Sequence, residues 1–250
     1  MCKSEQGFSI AELLITMAIV SVALAGAYSA FLSSSKRLVL QNEVIEMQAD
    51  ARAAMDFMVR ELRLAYGNTV ISTNITANDT IAFDRIEDSG YVSASGANTL
   101  SDGTKSWSTG NFNAYTVRIM AGTGAGQALK SISSNTTTQL TVSSNWDTQP
   151  DDTSFYVITR SKAFTRTSAS DNILRYTVGG LVNQPLADLI TSHAFTQLDP
   201  NTISITLTAQ TKDVDPSTGQ KRQYTLTETV QRRNCQVCQP PPCVWTVCLP

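Results

Sequence analysis

The chain has 250 residues, 42% hydrophobic but only 16% charged, with a net charge of −2. The charged share falls well below the usual ~25%, and Ser, Thr, Asn and Gln fill the difference between Asn68 and Thr229. No Lys/Arg cluster is longer than Lys221-Arg222 or Arg232-Arg233, so there is no electrostatic basis for a nucleic-acid partner, and the composition suits a β-rich extracellular surface better than a cytosolic enzyme.

From Phe8 to Leu32 the sequence reads FSIAELLITMAIVSVALAGAYSAFL, with Glu12 its only carboxylate and no Lys or Arg. At 1.5 Å per residue this stretch spans the ~30 Å hydrocarbon core of a bilayer. A secretory signal would have a basic start and an apolar run of only about 7–15 residues. Here Lys3 and Glu5 offset each other, and the run flows on into more helix. A plain anchor fits the length but leaves Glu12 unexplained, because a carboxylate in an apolar span costs about 2.5–3.5 kcal/mol and calls for a partner.

The arrangement Gly7-Phe8-Ser9-Ile10-Ala11-Glu12-Leu13-Leu14 resembles the prepilin leader of type IV pilins and type II secretion pseudopilins. The resemblance implies a leader, residues 1–7, that a prepilin peptidase removes by cutting after Gly7, taking Cys2 with it. It further implies N-methylation of the new terminus, Phe8, and an assembly role for Glu12, which would attract a neighbouring subunit's amino terminus. Ammonium and carboxylate offset each other's desolvation in lipid, which gives that pairing a physical ground. Major pilins commonly carry a proline where this chain has Ser29. The departure points away from a major subunit, with Gly26 as a candidate loose point in the helix instead.

Residues 33–67 predict that the helix continues in amphipathic form. Val44, Met47, Ala51, Met55, Met58, Leu62 and Ala65 recur at three- and four-residue steps, a stripe suited to packing on a sheet. Arg52, Asp56 and Arg60 predict i,i+4 ion pairs on another face, and Tyr66-Gly67-Asn68 predicts the stop. The whole helix would measure about 90 Å. The segment Ser33–Asn68 is similar to the corresponding stretch of PilW-type minor pilins, in its Ser-Ser-Ser-Lys-Arg exit and its Ala-Ala-Met-Asp-Phe-Met-Val-Arg-Glu-Leu-Arg run. Similarity resumes at Thr80-Ile-Ala-Phe-Asp-Arg85 and at the closing strand Tyr224–Asn234.

Beyond Asn68 short alternating stretches predict antiparallel strands at Thr80–Phe83, Tyr115–Met120, Gln139–Ser143, Phe155–Thr159, Ile173–Val178, Ile203–Ala209 and Tyr224–Val230. A short helix or loop is expected in Gln184–Leu198. The fold class is therefore α+β: a long N-terminal helix packed on an antiparallel β head formed by residues 68–98 and 160–234. Residues 99–159 resemble a small all-β module of phage structural proteins and large bacterial surface proteins. The shared points are Lys105-Ser106-Trp107, Val117-Arg118-Ile119, Gly122 to Gln127, Leu140-Thr141-Val142, Trp146, Pro150-Asp151 and Tyr156. An inserted module within the head is the expectation.

No catalytic constellation, cofactor or metal site is predicted. The glycine run lacks a P-loop ending and reads as a β-turn. His193 is the only histidine and is expected to be half-exposed and structural. Asp151, Asp152, Asp213 and Asp215 read as turn acids. The tail, residues 235–250, holds Cys235, Cys238, Cys243 and Cys248. Gln239 stands where c-type haem attachment needs histidine. Two disulfides are favoured over a zinc site outside the cytoplasm. Three pairings are open, and Cys238–Cys243 inside Cys235–Cys248 would suit a hairpin at Pro240–Pro242.

Together the resemblances imply a PilW-type minor pilin, with a J-type pseudopilin of type II secretion or a pilus-borne adhesin as alternatives. Its expected partners are the prepilin peptidase, the major pilin and other minor pilins, the inner-membrane assembly platform and inner-membrane lipid. Its expected location is a single pass of the bacterial inner membrane with the head in the periplasm, then the pilus surface.

Overall fold

The computed structural model describes residues 9–72, 80–166, 172–179, 183–199 and 201–232. A single helix, α1 (Ile10–Arg63), runs 54 residues, about 80 Å at 1.5 Å per residue. It contains no proline and one glycine, so nothing in it stops propagation. Gly26 does not loosen it: the helix passes through unbroken, and Ser29 Oγ donates back to the Gly26 carbonyl at 3.1 Å.

The helix ends earlier than the Gly67 signal predicts. Leu64 N–H closes the last turn on the Glu61 carbonyl at 3.1 Å, and the chain enters strand β1 (Ala65–Ser72) at once. The apolar step from Leu62 to Ala65 suits helix and turn equally, so periodicity alone could not place this boundary. Ala65 and Tyr66 are both buried, as strand residues.

The remaining strands are β2 (Thr80–Tyr91), β3 (Ala94–Ser95), β4 (Thr99–Ser101), β5 (Thr116–Ala121), β6 (Lys130–Asn135), β7 (Gln139–Val142), β8 (Phe155–Thr165), β9 (Leu174–Val178), β10 (Asn183–Ala187), β11 (Ile190–Asp199), β12 (Thr202–Val214) and β13 (Lys221–Gln231). All pairings are antiparallel. The large sheet runs β1-β2-β8-β5-β6-β7-β4-β3, with β9 on β8 and β10 on β9; β11-β12-β13 form a second sheet. Within residues 184–198, where a short helix or loop is expected, the chain is strand on both sides of a bend at Asp188-Leu189, with Leu189 at φ +64°. Pro185 is accommodated because β10 pairs only with β9 among the described strands. A register shift between Ile190 and Ser192 hides the two-residue alternation of β11.

The β2–β8 ribbon is the spine of the head. It pairs from Ile81↔Phe164 to Tyr91↔Phe155, with one register shift between Ile86 and Asp88. On the other edge of β8, Phe155–Thr159 carry β5 and Lys162–Thr165 carry β9. Two separate cores follow. In the first, Met47, Ala51, Met55, Met58 and Leu62 of α1 pack on Ile81, Phe83, Phe164 and Leu174 and on the inward residues of β12, Ile203, Ile205 and Leu207. Phe57 stands edge-on to Tyr176 at 5.0 Å. The second gathers Trp107, Phe112, Ile119, Leu140, Trp146 and Tyr156 with their neighbours. His193 is buried rather than half-exposed, edge-on to Phe195 at 5.4 Å. The predicted pairs with Asp56 give way to aromatic contacts: Arg52 lies 5.7 Å from the Tyr224 ring centroid and Arg60 5.2 Å from that of Phe57.

Where helix and ribbon meet, Glu61 is buried and ion-paired. Its carboxylate accepts from Lys162 Nζ at 2.9 Å, Arg85 Nη1 at 3.0 Å and Tyr176 Oη at 3.1 Å. Burial works to raise its pKa, but the Lys162 and Tyr176 hydrogen bonds and the Lys162 and Arg85 charges outweigh it and hold the carboxyl below its ordinary 4.5. Asp88, bonded to Lys105 and Trp107, is held below its ordinary 3.8 in the same way against burial.

Glu61→Ala leaves the Lys162 ammonium, which is 8% exposed, with the more distant Glu87 carboxylate at 3.6 Å as its counter-ion, and should cost the head about 3 kcal/mol in denaturant titration, the low end for breaking a buried pair. Because Glu61 and Asp88 have lowered folded pKa values, their stabilisation is complete above pH 4.5 and is lost as pH falls through the folded values. Thermal melts should therefore show a midpoint that is flat near neutrality and drops below pH 4.5, with a smaller drop in Glu61→Gln.

Candidate functional site: the N-terminal half of the helix

The first described residues build a capping box. Ser9 is extended (φ −73°, ψ 144°) and its Oγ accepts from Ala11 N–H at 3.3 Å; Glu12 Oε2 accepts from Ser9 N–H at 3.1 Å. This satisfies backbone donors that the first helical turn leaves open, and it places an acid at the positive end of the helix dipole. Glu12 is exposed, and its other oxygen meets no donor among the described residues. The carboxylate is thus fixed in place by its own chain while keeping the capacity to accept from a cation.

Between Ile10 and Leu32 every side chain is exposed. Large apolar groups such as Leu14, Ile19, Leu24 and Phe31 cover all sides of the cylinder rather than one stripe. Such a surface is stable in lipid or inside a bundle of like helices, not in water. The best 18-residue window has a mean hydropathy of 2.2, and none of it is buried against the head. The hydroxyls of Thr16, Ser21 and Ser29 are satisfied within the helix. Thr16 donates to the Leu13 carbonyl at 2.9 Å and Ser21 to that of Ala18 at 2.8 Å, so they cost little in a medium without water. Ser33–Ser35, Lys36 and Arg37 then mark the exit from the apolar run.

Of the residues singled out by sequence, Glu12 is described here. Gly7 and Phe8, and the tail cysteines Cys235, Cys238, Cys243 and Cys248, lie outside the described residues. Ser9 was missed as a contributor, although Ser9-Ile10-Ala11-Glu12 is itself a capping-box pattern. The glycine run forms a turn. Gly122 has φ +78°, and a Cβ there would stand 2.2 Å from the Thr153 carbonyl oxygen. Asp151 accepts from Thr123 and Thr153, and Asp215 from Ser217 N–H and Arg222, as turn acids do. No group of three or more metal-ligating side chains occurs among the described residues.

Residues 2–28 match the family model of the prokaryotic N-terminal methylation motif. The chain carries a prepilin-type N-terminus. The matched span takes in most of the apolar run and stops inside α1. With the long apolar helix, it supports a type IV pilin-like protein, pilin or pseudopilin, anchored in a membrane and then built into a pilus or secretion assembly. The motif implies processing by a prepilin peptidase and assembly with other pilins. No curated protein and no solved structure matches the chain significantly.

A charge placed midway along the apolar run should oppose membrane entry. Val20→Arg is expected to cost about 2.5–3.5 kcal/mol of insertion, read as a fall in the carbonate-resistant membrane fraction. Asp50→Arg, on the exposed face beyond the exit, should leave that fraction unchanged.

Proposed function

We propose that the chain is a minor pilin of PilW type. It is held in the inner membrane by residues 8–32, cleaved between Gly7 and Phe8, N-methylated on Phe8 and then incorporated into a type IV pilus near its tip. The observation that carries this reading is Glu12: an exposed carboxylate near the start of an all-round apolar helix, with lone pairs still unused. In lipid its remaining cost is met by docking against a cation, and a neighbouring subunit's new amino terminus supplies one. Addition of one subunit to another thereby removes an unfavourable charge. The similarity of Ser33–Asn68 to PilW-type proteins supports the minor role, and Ser29 in place of proline supports it further.

Glu12→Ala and Gly7→Val should each abolish the chain's incorporation into fibres, scored by immunoblot of sheared pili. Normal incorporation in both variants would reject the assembly role. A strain that keeps its pili but loses protein secretion when the gene is removed would favour the J-type pseudopilin.

The second core supports treating residues 99–159 as an inserted module with a docking or adhesive task. Its attachment points suggest the cut. Val92 N–H donates to the Ser154 carbonyl at 3.0 Å, next to the Tyr91↔Phe155 pair. Replacing 92–154 with an Asn-Gly turn closes the ribbon as a hairpin, and Tyr156→Thr with Ile158→Thr removes the side chains this uncovers. The shortened chain should still enter pili while surface attachment falls. Loss of both properties would count against a separable module. The four tail cysteines are proposed to form two disulfides in the oxidising periplasm; four free thiols by mass spectrometry of the exported chain would exclude this.

A further inference from the structure

The apolar run ends at Leu32, and Lys36 and Arg37 follow. At 1.5 Å per residue they stand roughly 6–8 Å above the hydrocarbon boundary, which is the depth of one headgroup layer. At this height the turn between β12 and β13, residues 215–220, comes back against the helix. It leaves a groove on either side of Leu40. One, of about 400 Å³, lies between Arg37, Gln41 and Ile45 on the helix and Asp215, Ser217 and Arg222 on the hairpin. The other, of about 470 Å³, lies between Lys36 and Val39 and Asp213, Val214 and Pro216.

The charges here run against those of the whole chain. Lys36, Arg37, Lys212, Lys221 and Arg222 face three acids, Glu43, Asp213 and Asp215, while the chain carries −2 overall; Glu43 accepts from the backbone N–H groups of Lys212 and Asp213. Asp215 is already neutralised in place, because Arg222 donates to its Oδ2 from Nε at 3.0 Å and Nη2 at 2.6 Å. Even so, the Arg222 side chain remains 56% exposed. Lys36, Arg37 and Lys221 form no ion pair among the described residues. Beside them, Val39 and Val214 present apolar surface to solvent, 58% and 52% exposed. A basic rim with apolar tips, set by the helix at headgroup height, is complementary to an anionic lipid surface.

We propose that the β12–β13 turn and helix residues 35–41 form a collar that seats the head on anionic phospholipid headgroups while the chain is held in the bilayer. This rests on the membrane-held reading above. Lys36 and Arg37 reach headgroup phosphates from the helix, Lys221 and Arg222 do so from the hairpin, and Val214 enters the interface. Each basic residue contributes about a five-fold preference for the anionic surface. Departure into a fibre must break these contacts, so the lipid composition around the subunit sets how readily it leaves.

The full chain, reconstituted in nanodiscs of phosphatidylcholine alone or with phosphatidylglycerol, would be followed by amide hydrogen exchange. The collar predicts slower exchange at residues 212–222 in the anionic discs, while residues 123–126 exchange alike in both. The double variant Arg37→Gln/Lys221→Gln should lose most of the difference, with unchanged protection at Met55–Leu62 showing that its head is folded. Equal exchange at 212–222 in the two lipids would overturn the collar. So would full protection in the variant, or the same slowing when inorganic phosphate is added to phosphatidylcholine discs. Failure of the chain to enter either disc would instead reject the membrane-held reading, and the collar with it.

Discussion

One unbroken helix has to satisfy two media, and the rest of the molecule answers to that constraint. Its first half is apolar all round and buries nothing against the head; its second half is apolar along one stripe and buries that stripe from Met47 to Leu62. No break, glycine hinge or linker separates the two, so the orientation of the stripe is transmitted rigidly from the apolar half. The head cannot turn independently of the segment that packs in lipid or in a fibre. The way the apolar half packs therefore bears directly on the direction in which the sheets face.

Glu61 performs the matching task at the other end. It lies in the last turn of α1 and binds strands β2, β8 and β9 through Arg85, Lys162 and Tyr176. Apolar packing alone would allow the stripe to slide along the sheet with little penalty, because methionine and alanine adapt to many neighbours. A buried carboxylate with three partners has one register only. Further along the ribbon, Asp88 takes bonds from Lys105 at 2.7 Å and Trp107 at 2.6 Å, and Asp102 accepts from Tyr156 at 2.7 Å. These polar pairs pin the second core to the same strand that Glu61 pins to the helix.

The features legible in the sequence were those carried by local pattern. The apolar run, the stripe from Met47 to Leu62 and the alternation of β12 are all set by neighbours within a few residues. What escaped depended on distant partners. β1 begins where Leu62 and Ala65 still keep helical spacing, and only its pairing with β2 makes it a strand. β11 loses its alternation to a register shift, and Pro185 reads as a breaker unless the strand is known to lie at an edge. Glu61 resembles any other charge on an amphipathic helix, since Lys162 lies 101 residues away. At the N-terminus, Gly7, Phe8 and Glu12 were legible as a motif, and the capping role of Ser9 was also written in the Ser9-to-Glu12 spacing, though masked by the longer apolar pattern.

The β2–β8 ribbon also has a mechanical meaning. Residues 92–154 leave and rejoin it at one end, with Val92 and Ser154 bonded to each other, and the helix packs at the other. A pull on that distal portion enters the head along two backbones side by side. The ladder between them is not unzipped, because both strands are drawn in the same direction. Force therefore runs along both backbones towards the level of Glu61, in parallel with the Asp88 contacts and the β5–β8 ladder that also join the distal portion to the ribbon. A subunit exposed at the end of a fibre under tension would be loaded along its strongest axis.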